Sequence, residues 1–356
     1  MVAHGLLARL TAAALCLIAI PITIAAPVDK RTGVVPSLSG PEEVVGSGTY
    51  PRANYLSDGS IISAYTAFAN GDSIVTIARS TDKGVSWNEI GTVARGPTAI
   101  TDIDNPYIYQ LPSGRVLVAF RNHDRSNGVY TFFRITICYS DDNGANWAYL
   151  STPASDPGPT HGNWEPFLRM AEDGTTLQLY YSRENSGADQ DSLMRTSTNG
   201  GITWTSATVI SGADSNNARD GMLGVTRVSG SNLIAVFESE TNGGKFSIHS
   251  ITSSDDGATW GNRQTVYAPA GSNAQAPQVI KVGGTLVASF QTDEDGGSGE
   301  AIKILTSGNG GVTWGNKLTT FPAASNWAGL LALNDGVSFL SLADHAGAKS
   351  QKITLY

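Results

Sequence analysis

Two glutamates carry most of the chemistry this sequence offers. Glu165 lies in Asn163-Trp164-Glu165-Pro166-Phe167, and Glu238 ends the apolar run Ile234-Ala235-Val236-Phe237. An aromatic ring and a proline beside a carboxyl strip water from it, which raises its pKa and suits a general acid. A carboxylate at the end of a core strand is costly unless it is exposed or paired. Arg219 or Arg227 could keep Glu238 ionised, as a nucleophile must be. Two carboxyls in opposite protonation states are what hydrolysis of a glycosidic bond needs. One protonates the leaving oxygen; the other attacks the anomeric carbon or activates water, at roughly 5–5.5 Å separation for retention and roughly 6.5–9.5 Å for inversion. The competing reading is a pair of ordinary ion-paired surface glutamates. Glu240 has the same strand facing as Glu238 and competes for its role.

Around this pair stand candidate ligand contacts, each with a plainer alternative. Asp102, Asp104 and Asn105 precede Pro106 and either bind substrate or shape a turn. Arg52 follows Pro51 and contacts a ligand or a structural partner. His161 orients an acid or touches sugar, or is a loop histidine. Trp164 and Trp327 present faces on which a sugar ring can stack. Arg219, Asp220 and Gln275 complete the set.

A repeat must bring these residues together. Ser80–Trp87, Ser140–Trp147, Ser197–Trp204, Ser253–Trp260 and Ser307–Trp314 all read S-x-D/N-x-G-x-x-W. Asp or Asn nucleates a tight turn, Gly supplies a positive φ, and Trp folds back over the turn. The tryptophans stand 60, 57, 56 and 54 residues apart (147−87, 204−147, 260−204, 314−260). A period of about 50 residues with strand-like content predicts an all-β, single-domain β-propeller with one four-stranded blade per repeat. A unit over 32–356 then holds six blades, the last without a clip and closed by pairing the two chain ends. The polar segments at Arg52, Asp102/Asp104/Asn105, His161/Glu165, Arg219/Asp220 and Gln275 occupy one phase of the repeat. They are read as entry loops converging on one face near the axis, with the clips at the opposite phase and only structural.

Composition narrows the function. Arg9 precedes an apolar run, Leu10–Ala26, that ends in small residues, so residues 1–26 read as a secretory signal. Lys30-Arg31 resembles a dibasic cleavage site, making 27–31 a propeptide and the product extracellular. Cys138, the one cysteine outside the signal, is expected to be a buried small hydrophobe. The net charge of −8 and an acidic balance argue against nucleic acid or an anionic membrane as partner. The five histidines show no metal-ligand spacing, and no metal or cofactor is expected. A closed ring needs no partner, so a monomer is expected.

The clips resemble the Asp-boxes, or BNR repeats, of sialidases and related propellers. Over the whole span from 32 the chain resembles glycoside hydrolase family 93, secreted exo-α-1,5-L-arabinanases. Tyr50-Pro51-Arg52-Ala53, Asp104-Asn105-Pro106, Asn163-Trp164-Glu165-Pro166-Phe167, Arg219-Asp220-Gly221-Met222 and Val236-Phe237-Glu238-Ser239 carry that resemblance. It implies a six-bladed propeller that releases arabinobiose from the non-reducing end of linear arabinan with retention. It places the catalytic pair on Glu165 and Glu238, with Glu165 favoured as acid/base and Glu238 as nucleophile. The alternatives are a sialidase and a non-catalytic carbohydrate-binding propeller. A sialidase needs three arginines to clamp a carboxylate and a late tyrosine nucleophile. Here no arginine follows Arg263, and only Tyr267 and Tyr356 stand late in the chain.

Overall fold

Each repeat of the sequence folds as four strands. The structure is a computed structural model that describes Met1 and residues 34–160, 162–214 and 217–356. The expected signal (1–26), propeptide (27–31) and His161 lie outside the described residues. The chain divides into Met1–Arg31 and the compact unit Thr32–Tyr356, which holds every strand named below.

A closing strand, β1 (Pro36–Gly46), comes first. Blade 1 is β2 (Gly48–Tyr55), β3 (Ile61–Ala69), β4 (Asp72–Ser80) and β5 (Asn88–Pro97). Blade 2 is β6 (Thr101–Gln110), β7 (Val116–Ser126), β8 (Val129–Ser140) and β9 (Ala148–Pro157). Blade 3 is β10 (Asn163–Met170), β11 (Leu177–Ser186), β12 (Asp189–Ser197) and β13 (Thr208–Ser211). Blade 4 is β14 (Ala218–Ser229), β15 (Asn232–Thr241), β16 (Ser247–Ser253) and β17 (Gly261–Tyr267). Blade 5 is β18 (Ala274–Val282), β19 (Thr285–Thr292), β20 (Ala301–Ser307) and β21 (Gly315–Phe321). Blade 6 is β22 (Ser325–Ala332), β23 (Ser338–His345) and β24 (Ala348–Leu355), completed by β1.

Blades 3 and 4 join into one sheet through a single parallel pair, Gln190 with Arg219. The innermost strands β2, β6, β10, β14, β18 and β22 each touch the next, and β22 touches β2, so the ring is closed. β1 pairs antiparallel with β24 from Pro36–Leu355 to Gly46–Ala348, as the missing sixth clip led one to expect. Radial closure leaves only the short outer strand of each blade as a sheet edge.

Hydrophobic clusters fill the wedges between blades. One holds Ile62 and Ile77 of blade 1 with Val118 and Phe120 of blade 2; another holds Leu117 and Ile137 of blade 2 with Leu179 and Tyr181 of blade 3. The clips, at the β4–β5 type of turn, pin these wedges. In each, the serine hydroxyl donates to the Asp or Asn side chain at 2.7–2.9 Å and accepts the glycine N–H at 2.8–2.9 Å. The tryptophans do more than cover their own turn. Trp147, Trp204 and Trp260 donate to their clip glycine carbonyls at 2.9–3.0 Å while their rings pack into the cluster shared with the preceding blade. Trp87 instead donates to Ser350 Oγ, 3.1 Å away in blade 6.

The polar entry segments are not loops. They are the first halves of the innermost strands, each broken by a bulge. The register slips between Thr49 and Arg52, Asp104 and Tyr107, Trp164 and Phe167, Gly221 and Gly224, Gln275 and Gln278, and Asn326 and Gly329. Each bulge holds one left-handed non-glycine residue: Tyr50, Asn105, Glu165, Met222, Ala276 and Trp327, with φ between 46° and 59°. Such residues cost of order 1–3 kcal/mol each and cluster where a side chain must be re-aimed. Six in register form a ring at one end of the central channel.

Candidate active site

Across from each bulge, on the second strand of the blade, stands a facing residue: Thr66, Arg121, Ser182, Glu238, Gln291 and Asp344. In three successive blades this residue reaches over the seam and accepts the bulge N–H of the next blade. Ser182 Oγ takes Met222 N–H at 3.0 Å, Glu238 Oε2 takes Ala276 N–H at 2.7 Å, and Gln291 Oε1 takes Trp327 N–H at 2.7 Å. A hydroxyl and an amide perform that structural task in blades 3 and 5. The negative charge of a carboxylate in blade 4 is therefore surplus to folding. Glu165 is likewise the one acid among the six bulge residues.

Both carboxyls are held above their ordinary range. Burial pushes Glu165 up to about 8, and the charge of Glu238 adds to the effect; Arg121 and a hydrogen bond from Ser182 pull the other way. Burial pushes Glu238 up to about 7, opposed by the Ala276 N–H and by Arg219. Glu165 keeps a buried Oε2 with no partner among the described residues. Glu165 therefore sits in the field of Glu238, whose negative charge favours a protonated Glu165. That arrangement fits an acid at Glu165 and an ionised group at Glu238.

Arg121 acts on Glu165 and Arg219 on Glu238, while a third guanidinium, Arg52, stands at Tyr50. Arg121 Nη2 bridges Asp102 and Asp104, both at 3.1 Å, and its guanidinium lies 5.1 Å from the Trp164 ring. Arg219 pairs with Glu184 at 2.8 Å and donates to Gln190 and the Gly187 carbonyl. Arg52 is buried, stacks 3.9 Å over Tyr50, and donates to the carbonyls of Pro51 and Trp327 at 2.9 and 3.0 Å. Two of the three are thus committed to carboxylates. Arg227, the other partner considered for Glu238, stands with Glu172 and Asp256 near the clip end of blade 4 and does not reach it.

The predicted ligand contacts divide. Arg219 acts on Glu238, Trp164 stands beside Glu165 in the same bulge, and Arg52, Asp104 and Trp327 gather around Tyr50, which also feels the charge of Glu165; Asn105 holds the equivalent bulge position in blade 2. Arg52 Nη2, Asn105 Oδ1 and Trp164 Nε1 are buried without partners among the described residues, so a ligand could satisfy them. Trp164 packs against its own chain so closely that a Cβ on Gly162 would sit 2.1 Å from the indole nitrogen. Asp102 lies under the site, held by Arg121, Arg125 and Tyr130. Asp220 points away: it is fully buried and bound by both terminal nitrogens of Arg263 and by Ser211, with no oxygen left for sugar. Gln275 lines a neighbouring cavity instead.

Sequence reasoning missed Arg121, Ser182, Glu184 and Tyr50. The signal for two of them was present. Arg121 and Ser182 end second strands at the same phase as Glu238, but a phase built on the clips gave no bulge register to align them.

The fold is similar to that of an α-L-arabinanase of Penicillium chrysogenum solved with arabinobiose: TM-score 0.68, 20 % identity, 91 % of this chain and 97 % of that one. It is similar to a family 93 α-L-arabinofuranosidase of Fusarium graminearum, also solved with arabinobiose: TM-score 0.70, 20 % identity, 90 % and 97 %. The NanB sialidase of Streptococcus pneumoniae gives a TM-score of 0.59 at 12 % identity over 93 % and 71 %. No curated protein sequence matches the chain. The family described as BNR repeat-like domain matches residues 135–355, from within β8 to the end of β24. That is more than half of the chain, and the protein belongs to this family.

Proposed function

We propose that this protein is a secreted, retaining glycoside hydrolase that releases arabinobiose from the non-reducing end of linear α-1,5-L-arabinan. The observation that carries the reading is Glu238: a buried carboxyl, raised to about 7, in a position that serine and glutamine fill in the adjacent blades. It acts on Glu165, raised further and keeping an oxygen with no partner among the described residues. In the first step Glu238 attacks the anomeric carbon while Glu165 passes its proton to the leaving oxygen. In the second, Glu165 takes a proton from water, which displaces Glu238. The motif resemblance to family 93, and the arabinobiose named with two similar folds, support the choice of substrate. A neutral sugar suits a site whose Arg121 and Arg219 are already neutralised by Asp102, Asp104 and Glu184. The test is hydrolysis of linear arabinan beside a sialoside, with the released sugar identified. The reading is falsified if Glu165→Gln and Glu238→Gln both keep full activity on arabinan, or if only the sialoside is cleaved.

A further inference from the structure

We propose that the cavity between blades 4 and 5, beside Glu238, is a further subsite that holds another neutral sugar unit of the same polysaccharide chain, with Glu240 as its hydroxyl acceptor. The inference rests on the glycosidase reading above. The cavity measures about 540 Å³ and is lined by Glu240, Lys245, Phe246, Asn273 and Gln275, among others.

Glu240 lies two residues beyond Glu238 on β15, so both side chains leave the same face of the strand. Two residues of strand advance about 6.8 Å, comparable to one sugar ring and its linkage. Glu238 reaches Ala276 on β18, and Gln275, the preceding residue, enters the cavity with Glu240. The catalytic carboxyl and the cavity are therefore consecutive along one seam.

Glu240 Oε1 is buried without a hydrogen-bond partner among the described residues. A buried acceptor left unpaired costs about 1–3 kcal/mol, more when charged. Its register partner across the ladder is Arg219, but that guanidinium is taken by Glu184, Gln190 and the Gly187 carbonyl. Among the described residues that oxygen is thus left without a donor. Vicinal sugar hydroxyls are the donors that a two-oxygen acceptor matches. Phe246 is half-buried and offers an apolar face for ring C–H groups. Asn273 fixes that wall: its Oδ1 accepts the Phe246 N–H at 3.2 Å and its Nδ2 donates to Asp293.

The experiment is kcat/KM on α-1,5-arabino-oligosaccharides of increasing length, for wild type, Glu240→Gln and Gln275→Ala, with thermal unfolding run on all three. Wild type should gain with length. Each variant should lose about tenfold more on the longer substrates than on the shortest one cleaved, the scale of one hydrogen bond to a charged group. A loss equal at every length, or no loss in either variant, overturns the subsite and leaves the glycosidase reading standing. Wild type inert on every oligosaccharide and on arabinan overturns both.

Discussion

Glu238→Gln separates the folding role of this residue from its chemical one. Glutamine keeps the shape and the acceptor for the Ala276 N–H, as Gln291 does for Trp327 one blade on. What it removes is the charge. In the folded protein the Glu238 carboxyl ionises near 7 rather than at its ordinary 4.5. The folded state therefore holds the proton more tightly than the unfolded chain. The wild type has its full stability below about pH 4.5 and loses part of it as pH rises to 7. A difference of about 2.5 units at 1.36 kcal/mol each is about 3 kcal/mol. Glu238→Gln should match the wild type at pH 4 and exceed it by about 3 kcal/mol at pH 8. For a unit of about 320 residues that is a rise in Tm of about 4–5 °C. Activity should fall by about a thousandfold or more, because the amide cannot form the covalent glycosyl-enzyme intermediate. Paired thermal unfolding by circular dichroism at pH 4 and pH 8, with arabinan hydrolysis on the same samples, reads both effects. A variant less stable than wild type at pH 8 would refute the desolvation account. Glu238→Ala is the control: it also removes the charge but strands the Ala276 N–H, and should lie about 1–3 kcal/mol below Glu238→Gln at either pH.

Two further outcomes are expected. The pH profile of kcat/KM should be bell-shaped, with Glu238 setting the acid limb and Glu165 the alkaline limb, both above the ordinary carboxylate value of 4.5; a profile flat from pH 4 to pH 9 would exclude this pair. In the clip of blade 2, Trp147→Ala should destabilise by about 3–5 kcal/mol, because the ring fills the wedge between blades 1 and 2, and leave KM unchanged; a shift in KM without loss of stability, read by denaturant unfolding, would contradict a purely structural role.

The blade count was legible because the clip is local. Ser80, Asp82 and Gly84 bond to one another within five residues, so the motif appears in sequence as it does in space. The ring closure followed, since one blade lacked a clip and the chain ends were the strands left over. The placement of Glu165 and Glu238 was legible for the same reason: both are acids out of keeping with apolar or aromatic surroundings. The direction of Asp220 was not. Its partners Arg263 and Ser211 come from separate strands, and no spacing along the chain announces which way a residue turns beside a bulge. Arg52, Asp102 and Asp104 pose the same problem. Their types suggested ligand contact, while two of the three serve partly to hold Arg121.

The bulges explain why sequence phase located the site but misjudged its parts. An extra residue in each innermost strand re-aims one side chain, and the left-handed conformation it adopts is one that glycine or asparagine would take more readily. This chain places Tyr50, Glu165, Met222 and Trp327 there instead. Tyr50, Met222, Ala276 and Trp327 pack together, which gives the strain a compensating contact. Glu165 has no place in that cluster and carries an oxygen without a partner among the described residues. Of the six strained positions it is thus the charged one, and folding alone gives no return for its acid. The neighbouring blades make the same case for Glu238, because Ser182 and Gln291 perform its backbone task without charge. Equivalent positions in the other blades thus show what the propeller needs, and on that measure the acids of Glu165 and Glu238 are both surplus to folding.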